Sequence, residues 1–459
     1  LRTPGTGAMA TFESEVGTTA GELAVSGQHH IPRRSVASWV IYDLANTIFS
    51  MGVVSMFFPQ FVRQTVGEAR QDTYVTYITA VSMAVIFVVS PLLGAMTDRA
   101  RRRMPFLIAS TLICVGLTLL MGRGSFWMTA ILFVFANIAY QAGLQFYDAL
   151  LPEVTTEENR GRVGGIGVGV GYLGSFLAVG VGFMIAIERM DLRFTIVGLM
   201  FLAFALPAFF MIRERGNPRP QPIDLKMVRD STKTTLATLR STKEYPGLLR
   251  FLVGRMFYTD SINTVISMMF LYTTTIAASL GMSEDAGENQ AMLIMLCAIS
   301  FAVVGGFAWG WLSDRIGPKR TLDYVLRSWM AVFLAAAAVG LMGLPIWALF
   351  VVACAAGICL GGIWAADRPL MLRLTPPARV GEFYGLYGMV GRFSAIVGPL
   401  MWGTVLYITR QSGVPTVIGQ GIAVLTLLVM MGISYMILRA VSDAKREWTG
   451  SDLSRAHDA

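Results

Sequence analysis

Long apolar runs separated by short polar turns dominate the chain. The runs lie near 36–62, 73–96, 105–121, 126–151, 164–187, 194–212, 249–280, 291–312, 321–342, 346–372, 383–408 and 416–438. Each is close to the ~20 residues that carry a helix across a bilayer. Three polar stretches punctuate this pattern. Residues 1–35, rich in Gly, Ser and Thr, read as a disordered cytoplasmic tail without the apolar core of a signal peptide. Residues 213–248 hold Pro218, Pro220 and Pro222, then a basic segment with Leu225, Val228, Leu236 and Leu239. They read as a solvated linker, partly helical along the membrane surface. Residues 439–459 form a second cytoplasmic tail. The expected fold is an all-α membrane protein with twelve transmembrane helices. Six lie in residues 36–212 and six in 249–438.

Polar residues interrupt the apolar pattern twice in the same way. Asp43-Leu44-Ala45-Asn46-Thr47-Ile48-Phe49-Ser50-Met51 and Asp260-Ser261-Ile262-Asn263-Thr264-Val265-Ile266-Ser267-Met268 are both D-x-x-N-T-x-x-S-M. On a helix, positions i, i+3 and i+7 share a face. Each of the two apolar helices therefore presents a carboxylate, an amide and a hydroxyl in one stripe. Polar groups at such depth are costly, and they line a pathway or hold helices together. The duplication extends further. Gly94-Ala95-Met96-Thr97-Asp98-Arg99 matches Gly310-Trp311-Leu312-Ser313-Asp314-Arg315, and Asp148 with Thr156 matches Asp367 with Thr375. The near-constant offset indicates six duplicated spans in parallel orientation, an arrangement suited to alternating access around a central site.

Composition supports a membrane setting. Of 459 residues, 54% are hydrophobic and only 14% charged, and the mean hydropathy is +0.58. The net charge of +8 is accounted for by basic turns on one side of a bilayer, so no nucleic-acid partner is inferred. Lys and Arg crowd the even-numbered turns, the linker and the tails, which places both termini in the cytoplasm of a plasma (inner) membrane. Cys114, Cys297, Cys354 and Cys359 lie in apolar runs without metal-ligand spacing. His29, His30 and His457 lie in the tails, so no histidine relay or histidine metal site is expected in the core. Gly169-Val170-Gly171-Tyr172-Leu173-Gly174 fits G-x-G-x-x-G but sits inside an apolar span with no preceding strand, and no G-x-x-x-x-G-K-[ST] occurs. No cofactor, metal or enzymatic constellation is expected. The expected partners are the bilayer and a small-molecule substrate, and the expected state is a monomer.

The turns after spans two and eight resemble the signature loop of the major facilitator superfamily. A narrower resemblance rests on four stretches. These are Trp39 to Asn46, Tyr147 to Pro152 followed by Gly171-Tyr172-Leu173-Gly174, Tyr258 to Val265, and Glu382 to Tyr387 running into Gly391 to Pro399. Together they are similar to the vacuole-effluxer branch of that superfamily, whose fungal members export amino acids from the vacuole. The resemblance implies a twelve-helix carrier. One departure is Ala366-Asp367-Arg368-Pro369 in span ten, where that branch usually has a Ser-Arg-Ser type run.

The candidate residues fall into two groups. Asp43 lies roughly 11 Å and Asp260 roughly 16 Å inside the cytoplasmic edge at 1.5 Å per residue. Both are candidates for coupling to a proton or sodium, with Asn46, Asn263, Ser50 and Ser267 as supporting ligands. Arg255 can instead lock Asp260 in a structural pair. Arg392, roughly 15 Å deep, can hold an anionic substrate group or pair with Asp260 or Asp367. Tyr140, Gln141 and Gln145, with Asn137, form a polar face that lines a cavity or joins helices. The cytoplasmic gate comprises Asp98, Arg99, Arg102, Asp148, Asp314, Arg315, Asp367 and Arg368. Each turn aspartate is expected to meet a helix N-terminus of the other half, and the nearby arginines to bridge to Asp148 and Asp367. Three functions fit this pattern: a gradient-driven carrier of a small metabolite or amino acid, a lipid or amphiphile exporter on the same scaffold, and a membrane sensor that binds without transport.

Overall fold

The computed structural model describes residues 31–217, 220–222, 245, 247–442 and 444. Residues 1–30 of the expected disordered N-terminal tail, the surface helix of the linker and most of the C-terminal tail lie outside the described residues, while Arg33–Ser35, read as the end of that tail, form the start of the first helix. Twelve long helices run through the described chain. They are α1 (Arg33–Val66), α2 (Glu68–Arg99), α3 (Met104–Leu120), α4 (Phe126–Ala149), α5 (Arg160–Met184), α6 (Met190–Met211), α7 (Leu248–Ser279), α8 (Glu284–Ile316), α9 (Pro318–Met342), α10 (Trp347–Leu374), α11 (Val380–Gln411) and α12 (Thr416–Leu438). Eleven are long and apolar enough to cross a membrane, and α3 is the short one, with 17 residues.

The helices begin and end where local chemistry dictates. Pro105 and Pro318 open α3 and α9, where a missing N–H costs nothing. Ser125 and Ser283 cap α4 and α8 by accepting from the N–H groups of Met128 and Ala286. Gly317 and Gly343 adopt positive φ at helix ends. The spans also overrun the apolar runs: α2 begins at Glu68 and α8 at Glu284, several residues outside the bilayer-length window.

One local feature was not legible in the sequence. Residues Ser50–Phe57 of α1 form a π-helical segment that begins at the serine of the first copy of the polar motif. Such insertions commonly mark functional positions. Gly52 lies in it, and a Cβ there would stand 3.0 Å from Val197 of α6.

The two sets of six helices meet mainly through three helices from each. α2 packs along α11 and α5 along α8, while α10 reaches α5 and α4 reaches α11. Glycine makes the closest approaches possible. A Cβ on Gly165 of α5 would stand 2.6 Å from the Cα of Gly310 in α8, and one on Gly306 would stand 2.8 Å from the nitrogen of Gly169. The glycine-rich run of span five therefore brings two backbones together, as small residues do in lipid.

Candidate functional site

The gate aspartates are placed symmetrically. Asp98 lies in the last turn of α2, not in the turn beyond it. Its carboxylate accepts from the backbone N–H groups of Gly381 (2.9 Å) and Glu382 (2.7 Å) at the start of α11. Asp314, in the last turn of α8, accepts from the N–H groups of Gly161 and Arg162 at the start of α5. An anion at its own helix C-terminus is disfavoured by the macrodipole. Each finds compensation at a facing N-terminus in the other half. These contacts close one end of the molecule, here termed the terminal face because the first helix starts there.

The gate arginines differ from expectation. Arg103, not Arg99 or Arg102, pairs with Asp98, at 2.7 Å, and also donates to the Ala149 carbonyl. Arg102 is exposed, and Arg315 lies 3.8 Å over the Trp311 ring. Asp148 and Asp367 do not bridge to these arginines. The reason is competition from deeper cations, described below. The start of the linker is not free either. Glu214 accepts from the N–H groups of Arg103 and Met104 and so caps α3, while Asn217 donates to the carbonyls of Arg101 and Asp98. Burial holds the Glu214 carboxyl above the usual carboxylate range, against the lowering effect of those two N–H groups.

Deeper in the bundle, Asp367 and Arg368 of α10 point to different partners. Arg255 of α7 pairs with Asp367 at 3.1 Å and is stacked 3.5 Å from the Tyr387 ring, whose hydroxyl also donates to Asp367. This pair stays within the last six helices. It replaces the expected Arg255–Asp260 lock. Arg368 instead crosses to the first six helices. Its Nε lies 3.1 Å from Asp148 of α4 and its Nη1 lies 3.6 Å from Asp43 of α1. Trp39 stacks on Tyr147 at 4.5 Å, and Arg368 faces the same Tyr147 ring. Two carboxylates thus share one guanidinium across the interface, with Asp43 and Arg368 only 7% and 8% exposed.

The repeated stripe divides. Asp43 and Thr47 straddle Gly171 of α5, and Asp260 and Thr264 straddle Gly398 of α11. The face that matters is therefore Asp and Thr at i, i+4. Asp260 accepts from the Gly398 N–H at 2.8 Å and, among the described residues, makes no ion pair. Asn263 is half-buried, and Ser267 is exposed with its hydroxyl on the Asn263 carbonyl, so neither joins Asp260. Asn46 is buried against Asp43, and Ser50 donates to the Thr47 carbonyl.

The polar face of α4 serves mainly to join helices. Gln145 exchanges hydrogen bonds with Ser90 of α2, and Asn137 donates to Ser82 one step along the same seam. Tyr140 is packed against Phe49 at 4.7 Å. All three are buried in this state. Gln141 is half-buried, and its backbone carbonyl accepts from Arg392. Arg392 also donates to Ser90 at 2.8 Å and meets neither Asp260 nor Asp367.

Comparison with known proteins places this architecture. The family model described as vacuole effluxer Atg22 like matches residues 62–449. The chain belongs to that family. An uncharacterized MFS-type transporter of Bacillus subtilis, YxiO, is 26% identical over 445 residues, covering 91% of this chain and 96% of the relative. Autophagy-related protein 22-1 of Aspergillus niger is 24% identical over 304 residues, 61% of this chain and 47% of its own length. This Atg22-like chain thus aligns with about half the length of that fungal protein. Among solved structures, the human organic anion transporter MFSD10 superposes with a TM-score of 0.68 at 15% identity, covering 88% of this chain and 99% of that one. The E. coli fucose:proton symporter gives 0.63 at 14% identity, over 89% and 97%. The Atg22-like protein has the major facilitator fold and is an integral, multi-pass membrane transporter.

Proposed function

We propose that this Atg22-like protein is a secondary active transporter that works by alternating access and couples to a proton or sodium gradient. The observation that carries the reading is Arg368, which ties α10 to Asp43 and Asp148 of the other half. Two carboxylates facing one guanidinium leave one negative charge unmatched. A proton or sodium ion arriving there would neutralise it and loosen the link between the halves. Asp98 and Asp314 hold the terminal face shut in this state, and the positive-inside pattern makes that face cytoplasmic. Binding of the ion and release of the two gate aspartates would then belong to one transition.

The substrate is a small metabolite, with amino acids as the first class to test given the family. Flux of labelled amino acids into sealed proteoliposomes, under imposed proton or sodium gradients, tests the reading. Gradient-driven uptake that is lost in Asp43→Asn supports it and names the ion. Uptake indifferent to both gradients overturns the coupling. A second reading, export of an amphiphile, draws on a lateral groove of about 740 Å³ between α2 and α4, lined by Tyr74, Tyr77, Val81, Trp127 and Phe135 with Arg70 at one end. Fluorescent-lipid efflux from the same vesicles decides between the two.

A further inference from the structure

Arg392 is a buried cation that makes no ion pair among the described residues. It is 8% exposed, and its guanidinium crosses from α11 to the other half. Nη1 donates to the Ser90 hydroxyl at 2.8 Å and Nη2 to the Gln141 carbonyl at 3.0 Å. Nε is buried and has no hydrogen-bond partner among the described residues. The Ser90 hydroxyl also lies 2.5 Å from Gln145 Oε1 and 3.2 Å from the Gly385 carbonyl, so the groups in direct contact with the guanidinium are neutral. The nearby charge makes this worse: the Arg255 guanidinium lies against Gly391, about 3.0 Å from where a Cβ would stand. Of the core carboxylates, Asp367 pairs with Arg255, Asp43 and Asp148 share Arg368, and Asp260 takes the Gly398 N–H; Asp148 attracts Arg392 only from a distance, without an ion pair.

A buried guanidinium that spends its donors on neutral oxygens is destabilising unless something else repays it. Its present partners belong to α2 and α4. Those two helices separate from α11 when the terminal face opens. Arg392 then loses both bonds and turns an unsatisfied planar fork toward the opening cleft. A carboxylate or a phosphate is the ligand whose geometry matches that fork.

We propose that Arg392 is the binding site for an anionic group of the cargo, a carboxylate or phosphate, which replaces Ser90 and the Gln141 carbonyl as the halves open. This rests on the carrier reading above and assigns its substrate class.

The test uses the full chain in nanodiscs of neutral phosphatidylcholine. Thermal unfolding is followed while acetate, inorganic phosphate or lysophosphatidate is titrated at constant ionic strength, with chloride as the reference. Wild type is expected to show saturable stabilisation by at least one anion. Arg392→Lys keeps the charge but not the fork, and its half-saturating concentration is expected to rise about tenfold, as loss of one charge-assisted hydrogen bond implies. Arg392→Gln is expected to lose the response. Stabilisation by acetate or phosphate identifies a free anion, and stabilisation by lysophosphatidate alone identifies a lipid headgroup. The proposal is overturned if no anion exceeds chloride with wild type, or if Arg392→Lys responds as wild type does. The second criterion stands even when Arg392→Gln fails to fold. The readout needs no transport. A null result here leaves the carrier reading to its flux assay, and absent flux with intact anion binding would break that reading alone.

Discussion

Of the three pairs of aspartates that repeat in this chain, Asp98 with Asp314 repeats its partners in space, whereas Asp43 with Asp260 does not. Asp98 and Asp314 each end a helix and each accept from the first N–H groups of a helix in the other half. Asp43 and Asp260 share a nine-residue pattern and each flank a glycine of a neighbouring helix. Yet Asp43 reaches Arg368 across the interface, while Asp260 takes a backbone N–H from Gly398 in its own half. Gate closure needs only backbone and a carboxylate, which duplication copies faithfully. A charge link across the interface needs a particular side chain at a particular place. Arg368 has Ala149 as its counterpart at the Asp148-to-Asp367 offset, so duplication supplied no second copy. Symmetry here carries the contacts that join the two halves at the terminal face, and asymmetry carries the charge link between them.

Breaking the asymmetric link should have the largest effect. Arg368→Gln leaves Asp43 and Asp148 buried without their cation. The expected cost is about 3–5 kcal/mol of stability, and flux should be lost. Adding Asp148→Asn to that variant should recover part of the stability, because one uncompensated charge is removed. Thermal unfolding of the single and double variants measures both. Equal stability of Arg368→Gln and wild type would show that the link is incidental.

Blocking closure sterically comes next. A Cβ at Gly165 already lies 2.6 Å from the Gly310 Cα, so Gly165→Leu must push α5 from α8. Ser313, buried at this interface, should then become accessible. With a Ser313→Cys reporter, aqueous maleimide labelling should rise about tenfold, the change that ~1.4 kcal/mol in the closure equilibrium produces. Unchanged labelling would mean that the halves are not held by this seam.

The symmetric pair predicts matched, smaller effects. Asp98→Asn and Asp314→Asn each remove a charge from a helix N-terminus, worth about 1–2 kcal/mol. Both should raise Ser313→Cys labelling in the same direction. Asp98→Asn should be the more disruptive by the extent of its added pair with Arg103. Opposite directions would break the claimed symmetry of the gate.

The sequence made the architecture legible because bilayer-length apolar runs and a constant repeat offset are carried by many residues at once. The partnering of Asp98 and Asp314 with facing helix ends was legible too, since an aspartate at a helix C-terminus has an evident electrostatic need. Pairings between distant buried charges were not. Arg255 lies five residues from Asp260 on the same helix, yet it joins Asp367 on α10, because helix rotation turns it toward the neighbouring helix. The i, i+3 and i+7 spacing groups the motif's Asn and Ser with the aspartate. The packed face proved to be i, i+4, led by Thr47 and Thr264 against glycine. Gln145 and Asn137 were ambiguous by type, since the same amide lines a pathway or joins helices, and only the positions of Ser90 and Ser82 decide it.

The smallest expected effect is also the sharpest test of the comparison. In Asp260→Asn the amide oxygen can still accept from the Gly398 N–H, and among the described residues no cation loses a partner. Stability should change by less than about 1 kcal/mol, and gradient-driven flux should persist. Asp43→Asn, the same substitution at the equivalent position, should uncouple flux from the gradient because it removes one of the two carboxylates that share Arg368. Flux measured side by side for the two variants compares one motif in two surroundings. Loss of coupling in both would return the coupling role to the repeated motif itself. Loss in Asp43→Asn alone would assign it to the charge link across the interface, where duplication left a single arginine.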